Sequence, residues 1–191
     1  TKDSDKVDVK VKVEEKSTGT FSVGAGYSSV ESFMGTASVT QNNFMGKGQR
    51  VSLAFALSGI SSEFEFSFTE PYFMDKNFSA GFDLFNRTTD WDDISSYEQS
   101  SSGGGLRFGF PLSNNLWDTV SYKLAHVEID DVESTASSII QDMARRSPYL
   151  QSMVSNTLQW NSLDNRVMPS EGRRHRLTTD FSGVGGDVYF G

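Results

Sequence analysis

Glu63 and Glu65 stand two residues apart, a spacing that puts both carboxylates on one face of a strand, where one could give a proton and the other take it. The plainer reading is a row of solvated charge lining a wet interior. Gly103-Gly104-Gly105 follows Ser100-Ser101-Ser102. It does not join a strand to a helix, so it is no phosphate loop; it reads as the start of a strand where bulky groups would clash. Asp90, Trp91, Asp92 and Asp93 gather three carboxylates but lack the spaced glycine and later glutamate of a calcium loop. Arg173, Arg174, His175 and Arg176 make a small basic cluster at a turn, suited to anionic headgroups or to a solvated rim. With no Cys and only His126 and His175, thiolate chemistry, a disulfide framework and a Cys- or His-rich metal centre are not expected. Neither catalysis nor a cofactor is indicated.

The elements that would carry these residues are strands. The 191 residues include 15 Phe and 17 Gly, and the formal net charge is -8, which argues against nucleic acid as a partner. No run of 18 apolar residues occurs, so no transmembrane helix is expected. Thr1 to Lys16 is charged throughout and lacks the apolar core of a leader, as in a cytosolic chain or a mature piece. Beyond it, apolar residues recur at every second position. Phe21, Val23, Ala25 and Tyr27 alternate with small residues, as do Phe33 to Val39 and Val51 to Leu57. Phe64, Phe66 and Phe68 alternate with Glu63, Glu65 and Ser67, and the same period runs through 78–84, 106–110, 120–124, 157–161 and 177–182. Nine such segments are a strand signal.

Alternation fits a soluble sandwich, apolar side in, or a lipid-facing barrel, apolar side out. Segments of about 9–13 residues favour the barrel, since a tilted membrane-crossing strand needs about 9–11 and soluble strands average about 5–6. The connections point the same way. One set (42–48, 70–76, 111–115, 165–172) carries Pro71, Pro111 and Pro169; the alternate set (28–32, 59–62, 88–99, 130–151) lengthens along the chain. Short turns at one rim and long loops at the other are a barrel asymmetry. Trp91, Trp117 and Trp160 are candidate interface anchors.

Two segments depart from this pattern. In Lys6–Lys16, Val7, Val9, Val11 and Val13 alternate with charged residues, predicting a strand with one very polar face. In Thr135–Arg146, Ile139, Ile140 and Met143 share a helical face, with acids before and Arg145 and Arg146 at the end, predicting a short amphipathic helix in the longest loop. It could cap the barrel mouth or touch a membrane or partner, or simply pack over the loop.

The order of segments resembles a known family. Val-Asp-Val-Lys-Val-Lys-Val-Glu-Glu-Lys (7–16) runs into Thr-Gly-Thr-Phe-Ser-Val-Gly-Ala-Gly-Tyr (18–27). Then come Gln-Asn-Asn-Phe-Met-Gly-Lys-Gly (41–48), Thr-Glu-Pro-Tyr-Phe (69–73), Gly-Phe-Pro-Leu (109–112) and Leu-Asp-Asn-Arg-Val-Met-Pro-Ser-Glu-Gly (163–172). The sequence resembles the BamA family of outer-membrane protein assembly factors over almost its whole length.

That resemblance implies an all-β fold: the N-terminal part of a 16-stranded transmembrane antiparallel up-and-down β-barrel, with one short loop helix. Residues 1–17 would be the last strand of a periplasmic POTRA domain and its linker, and residues 18–191 about nine strands and the start of a tenth. The closing strands and a later Val-Arg-Gly-Phe loop are missing, which reads as a fragment. The implied function is insertion of β-barrel proteins into the bacterial outer membrane. A client strand would add to the edge of the first strand, a lateral gate formed by Thr20, Phe21, Ser22, Val23, Gly24, Ala25, Gly26, Tyr27 and Ser28. Gly24 and Gly26 would loosen its pairing or merely curve the sheet. Phe33, Phe55, Phe64, Phe66, Phe68, Phe82 and Phe108 would face lipid; Glu65, Asp83 and Arg107 would face the lumen. Implied partners are unfolded outer-membrane proteins, accessory lipoproteins and outer-membrane lipid, with the N-terminal end in the periplasm. A passive pore, an adhesion barrel or a related translocation barrel of the same superfamily are the alternatives.

Overall fold

The computed structural model describes residues 9–14, 17–91, 97–165 and 167–187. Among the described residues nine strands follow one another: β1 (Gly19–Ser28), β2 (Ser32–Phe44), β3 (Gln49–Leu57), β4 (Ser61–Glu70), β5 (Ser79–Asp90), β6 (Glu98–Pro111), β7 (Leu116–Asp130), β8 (Tyr149–Asn161) and β9 (Arg174–Ser182). They form one sheet in chain order, each strand antiparallel to its sequence neighbours. This is an up-and-down meander, the arrangement that period-two sequence joined by short turns produces.

Local chemistry sets the turns. Between β2 and β3, Gly46 and Gly48 adopt φ 72°, and Asn43 Oδ1 accepts from Gly48 N at 2.6 Å. Between β8 and β9, Asp164 Oδ1 accepts from the backbone N–H groups of Asn165, Ser170 and Glu171 at 2.9–3.1 Å. Ser170 Oγ donates to the other carboxylate oxygen. Four donors hold the Asp164 carboxyl down at about 2, the Ser170 hydroxyl contributing most.

Connections at one end of the sheet (45–48, 71–78, 112–115, 162–173) have four, eight, four and twelve residues; those at the other (29–31, 58–60, 91–97, 131–148) have three, three, seven and eighteen. The expected sorting into a short and a long rim is therefore only partial. The second set does lengthen along the chain, but it begins with the shortest connections of all.

The long connection holds the helix α1 (Ser138–Arg146). It starts three residues later than the sequence pattern predicts, because the Ser137 hydroxyl accepts from Ile140 N and fixes the N-cap there. Arg146 pairs with Asp142 at 3.0 Å one turn earlier. The helix touches β7, yet Ile139 stays 71% exposed. Residues 9–14 carry no regular structure and pair with no strand of the sheet. The rest of the predicted polar strand, with Asp92, Asp93 and residues 188–191, where a tenth strand is expected to start, lies outside the described residues.

The Gly103–Gly105 run does not start a strand. It lies in the middle of β6, which reaches back to Glu98 through the serines. A Cβ at Gly103 would fall 2.1 Å from the Leu124 carbonyl oxygen, so the β6–β7 approach requires glycine there.

Candidate functional site: one apolar face, one wet face and a strand edge

Register partners in an antiparallel ladder share a face. Val39, Leu53, Phe66 and Leu84 thus form one cross-strand row, and Val51, Phe68, Phe82, Leu106 and Tyr122 the next. Phe33 lies opposite Tyr27, Phe55 opposite Phe64, and Phe108 between Ala80 and Val120, all on that same side. All seven phenylalanines predicted to share a face do so. Their rings meet at tilted angles within the face, with centroids 5.2 Å apart for Phe55–Phe64, 5.8 Å for Phe66–Phe82 and 5.6 Å for Phe68–Phe82. No second layer covers them. Phe33 is 80% exposed and Phe55 45%, and the buried apolar residues among those described are only Ala125, Val127, Ile129 and Ala136. A soluble sandwich would enclose these rings; here they form an open surface.

Phe73, Phe78 and Phe110, not among the seven, continue this face to the rim. Phe78 stacks on Phe108 at 5.8 Å and on Phe110 at 6.4 Å, and Phe73 lies 6.0 Å from Phe78. Phe78 and Phe110 belong to the alternating segments 78–84 and 106–110; Phe73 sits in a 3-10 turn (Phe73–Asp75) that period two does not reach. Trp160 lies on the apolar face at that rim and Trp117 on the opposite face, so the two tryptophans do not share a face.

The other face is polar. Arg107 Nε lies 2.8 Å from Asp83 Oδ2, an ionic contact without an aligned hydrogen bond, while Arg107 Nη2 donates to Ser67 Oγ and Thr69 Oγ1 at 3.0 and 3.2 Å. Arg87 pairs with Glu63. Lys123 Nζ stands 4.2 Å above the centre of the Phe85 ring. Glu65 lies between Ala54 and Phe85 in the register, in a pocket of about 320 Å³ shared with Asp83, Arg87 and Lys123. Glu65, Asp83 and Arg107 thus fall together opposite the phenylalanines. Glu63 is engaged by Arg87, and no contact joins it to Glu65 among the hydrogen bonds and ion pairs of the described residues. The basic residues Arg173 to Arg176 are exposed at the rim, Arg176 donating to Gln159 at 3.1 Å.

β1 pairs with β2 from Gly19–Gln41 to Ser28–Ser32, and its other edge is unpaired among the described residues. The phase of its ladder can be fixed. Asn42 N donates to Thr18 O at 3.2 Å, so the Thr18–Asn42 pair is hydrogen-bonded. Hydrogen-bonded pairs alternate along an antiparallel ladder. Thr20, Ser22, Gly24, Gly26 and Ser28 therefore turn their backbone groups toward β2. Gly19, Phe21, Val23, Ala25 and Tyr27 turn theirs to the open edge. Of the nine residues predicted as a strand-accepting edge, four offer backbone donors and acceptors outward, and those four carry their side chains on the apolar face. A Cβ at Gly24 would meet Thr36 Oγ1 at 2.7 Å, a contact that a turn of the threonine relieves.

Nine consecutive antiparallel strands, one face an uncovered apolar surface and the other a polar surface with the Glu63–Arg87 and Asp83–Arg107 ion pairs, define the wall of an outer-membrane β-barrel. Residues 43–191 match the Omp85 superfamily domain, and the chain belongs to that superfamily. It is 30% identical over 192 residues to the outer membrane protein assembly factor BamA of Nitratidesulfovibrio vulgaris, covering 100% of this chain and 24% of that protein. It is 30% identical over 182 residues to the BamA of Neorickettsia risticii, covering 95% of this chain and 24% of that one. Its fold superposes with a TM-score of 0.67 on the crystal structure of BamA from Haemophilus ducreyi lacking POTRA domains 1–3, at 23% identity over 91% of this chain and 36% of the other. The chain spans about a quarter of the length of these curated relatives.

Proposed function

We propose that this chain is the gate-bearing wall of an assembly factor that inserts β-barrel proteins into the outer membrane by strand addition at β1. The observation that carries the reading is the β1 edge: outward backbone groups at Phe21, Val23, Ala25 and Tyr27, on a strand whose inner face holds only the small residues Thr20, Ser22, Gly24, Gly26 and Ser28. In a closed barrel this edge meets the closing strand, and an incoming client strand competes for the same donors and acceptors. No covalent step and no nucleotide is required; the client's folding free energy drives insertion. In this reading the phenylalanine face meets hydrocarbon and the Asp83–Arg107 side lines the lumen. The N-terminal end lies in the periplasm, and accessory lipoproteins work with the whole protein. The assembly-factor names of the relatives support it.

The chain has no cysteine, so single cysteines introduced at 21 to 27 report contacts without background from its own residues. With the full-length protein and a stalled client carrying a cysteine in its last strand, crosslinks should form along β1 in one fixed register, each step along β1 matched by one step along the client strand. Crosslinks scattered over other strands, or none at β1, would refute strand addition here and favour a passive pore.

A further inference from the structure

On the apolar face, where the connections 45–48 and 71–78 lie side by side (Gly48 next to Pro71), a groove of about 530 Å³ opens at the rim. Phe68, Phe82, Leu106 and Phe108 line its apolar length, with Met74, itself 75% exposed, at the rim end. These residues belong to β4, β5, β6 and the 3-10 turn; the three strands are paired on both edges, so the groove is complete within this chain. Its mouth is charged: Lys47, Glu70 and Asp75 line it. The Glu70 carboxylate is held in place on both oxygens, Oε2 accepting from Gln49 Nε2 at 2.7 Å and Oε1 from Tyr72 N at 3.0 Å.

We propose that this groove seats an acyl chain of a zwitterionic phospholipid with a primary ammonium headgroup, the ammonium meeting Glu70 and Asp75 and the phosphate meeting Lys47. The proposal rests on the reading that the apolar face meets hydrocarbon. Charge complementarity selects the headgroup. Two carboxylates and one ammonium line the mouth, which disfavours a lipid whose only charge is its phosphate. A primary ammonium donates hydrogen bonds to carboxylates; a choline headgroup has no N–H to give.

The test uses the full-length protein, released from detergent after exposure to equal amounts of phosphatidylethanolamine, phosphatidylglycerol and phosphatidylcholine, with retained lipids read by native mass spectrometry. One ethanolamine lipid should be kept with a preference of about tenfold, the worth of one charge-assisted hydrogen bond. The isosteric pair Glu70→Gln with Asp75→Asn should bring the three lipids to parity. Equal retention of all three, a preference for the glycerol lipid, or a preference unchanged in the double variant would overturn the proposal. A nitroxide at Phe55→Cys, opposite Phe64 and outside the groove, separates the two claims. If it is reached by oxygen and shielded from a water-soluble relaxer while no headgroup preference appears, the groove assignment alone fails. If it is reached from water, the facing of the sheet and the groove assignment fail together.

Discussion

Replacing Phe66 by arginine sets the apolar face against the bilayer at its most hydrophobic depth. Phe66 is five residues from Ser61 and four from Glu70, the ends of β4. At about 3.4 Å per residue and a tilt of about 40°, those ends lie about 13 and 10 Å from Phe66 along the membrane normal, which centres it in an apolar band about 25 Å tall. Arginine at the midplane costs about 2–4 kcal/mol. Loss of the 5.8 Å ring contact with Phe82 adds about 0.5–1.5 kcal/mol. The control lies at nearly the same height on the opposite face: Ala54, whose register partner is Glu65. Arginine there enters the wet side next to a carboxylate and should change stability by no more than about 1 kcal/mol. Guanidinium unfolding of the full-length protein in lipid vesicles, followed by tryptophan fluorescence, reads both. A loss below about 0.5 kcal/mol for Phe66→Arg, or equal losses at the two positions, would refute the assignment of faces at this depth.

Proline separates the two kinds of β1 residue: Val23→Pro removes an outward N–H and should depress client insertion with the barrel still folded, whereas Ser22→Pro removes a bond to β2 and should loosen β1 itself; equal protease protection of β1 in both variants would contradict the ladder phase. Asp83→Asn should cost about 1 kcal/mol or less, because the Arg107 contact is partly exposed in a wet lumen; a loss of about 3–5 kcal/mol, measured by the same unfolding assay, would mean that this face is a dry core. Gly103→Ala drives a methyl into the β7 backbone and should cost more than about 2 kcal/mol, while Gly35→Ala meets open space and should cost about 1 kcal/mol or less; comparable unfolding midpoints would contradict the β6–β7 register. Since its carboxyl is held near 2 against an ordinary 3.8, Asp164 stabilises the 162–173 turn above pH 3.8, and that contribution is lost as pH falls through about 2. Amide exchange at Ser170 and Glu171 should therefore be faster in Asp164→Asn than in the native chain at neutral pH, and unchanged exchange would contradict the role of the carboxylate.

The division of the sheet into an apolar and a polar face was legible because period two is a local property: once Phe64, Phe66 and Phe68 alternate with Glu63, Glu65 and Ser67, any strand built from them has one apolar and one polar side. The hairpin order was legible from turn residues such as Asn43, Gly46 and Gly48. Long-range facts were not. Most of the first half of β6 is serine and glycine, poor strand formers in isolation; it is strand because β5 and β7 pair with it on both edges, and at 103 the β7 backbone leaves no room for a side chain. The Glu63–Arg87 and Asp83–Arg107 pairs join residues 24 apart and depend on register. The division of β1 into inward and outward backbone groups depends on the phase set at Thr18–Asn42, which side-chain pattern does not encode. The start of α1 was missed by three residues because a single hydroxyl, Ser137, decides it.

Nitroxide scanning of residues 62–69 in the full-length protein embedded in lipid vesicles reads the orientation of the sheet residue by residue. Oxygen accessibility should peak at Phe64, Phe66 and Phe68, and accessibility to a water-soluble nickel complex should peak at Glu63, Glu65 and Ser67, the two profiles out of phase with a period of two. Profiles in phase, or oxygen peaks on the glutamate side, would mean that the phenylalanine face does not meet hydrocarbon.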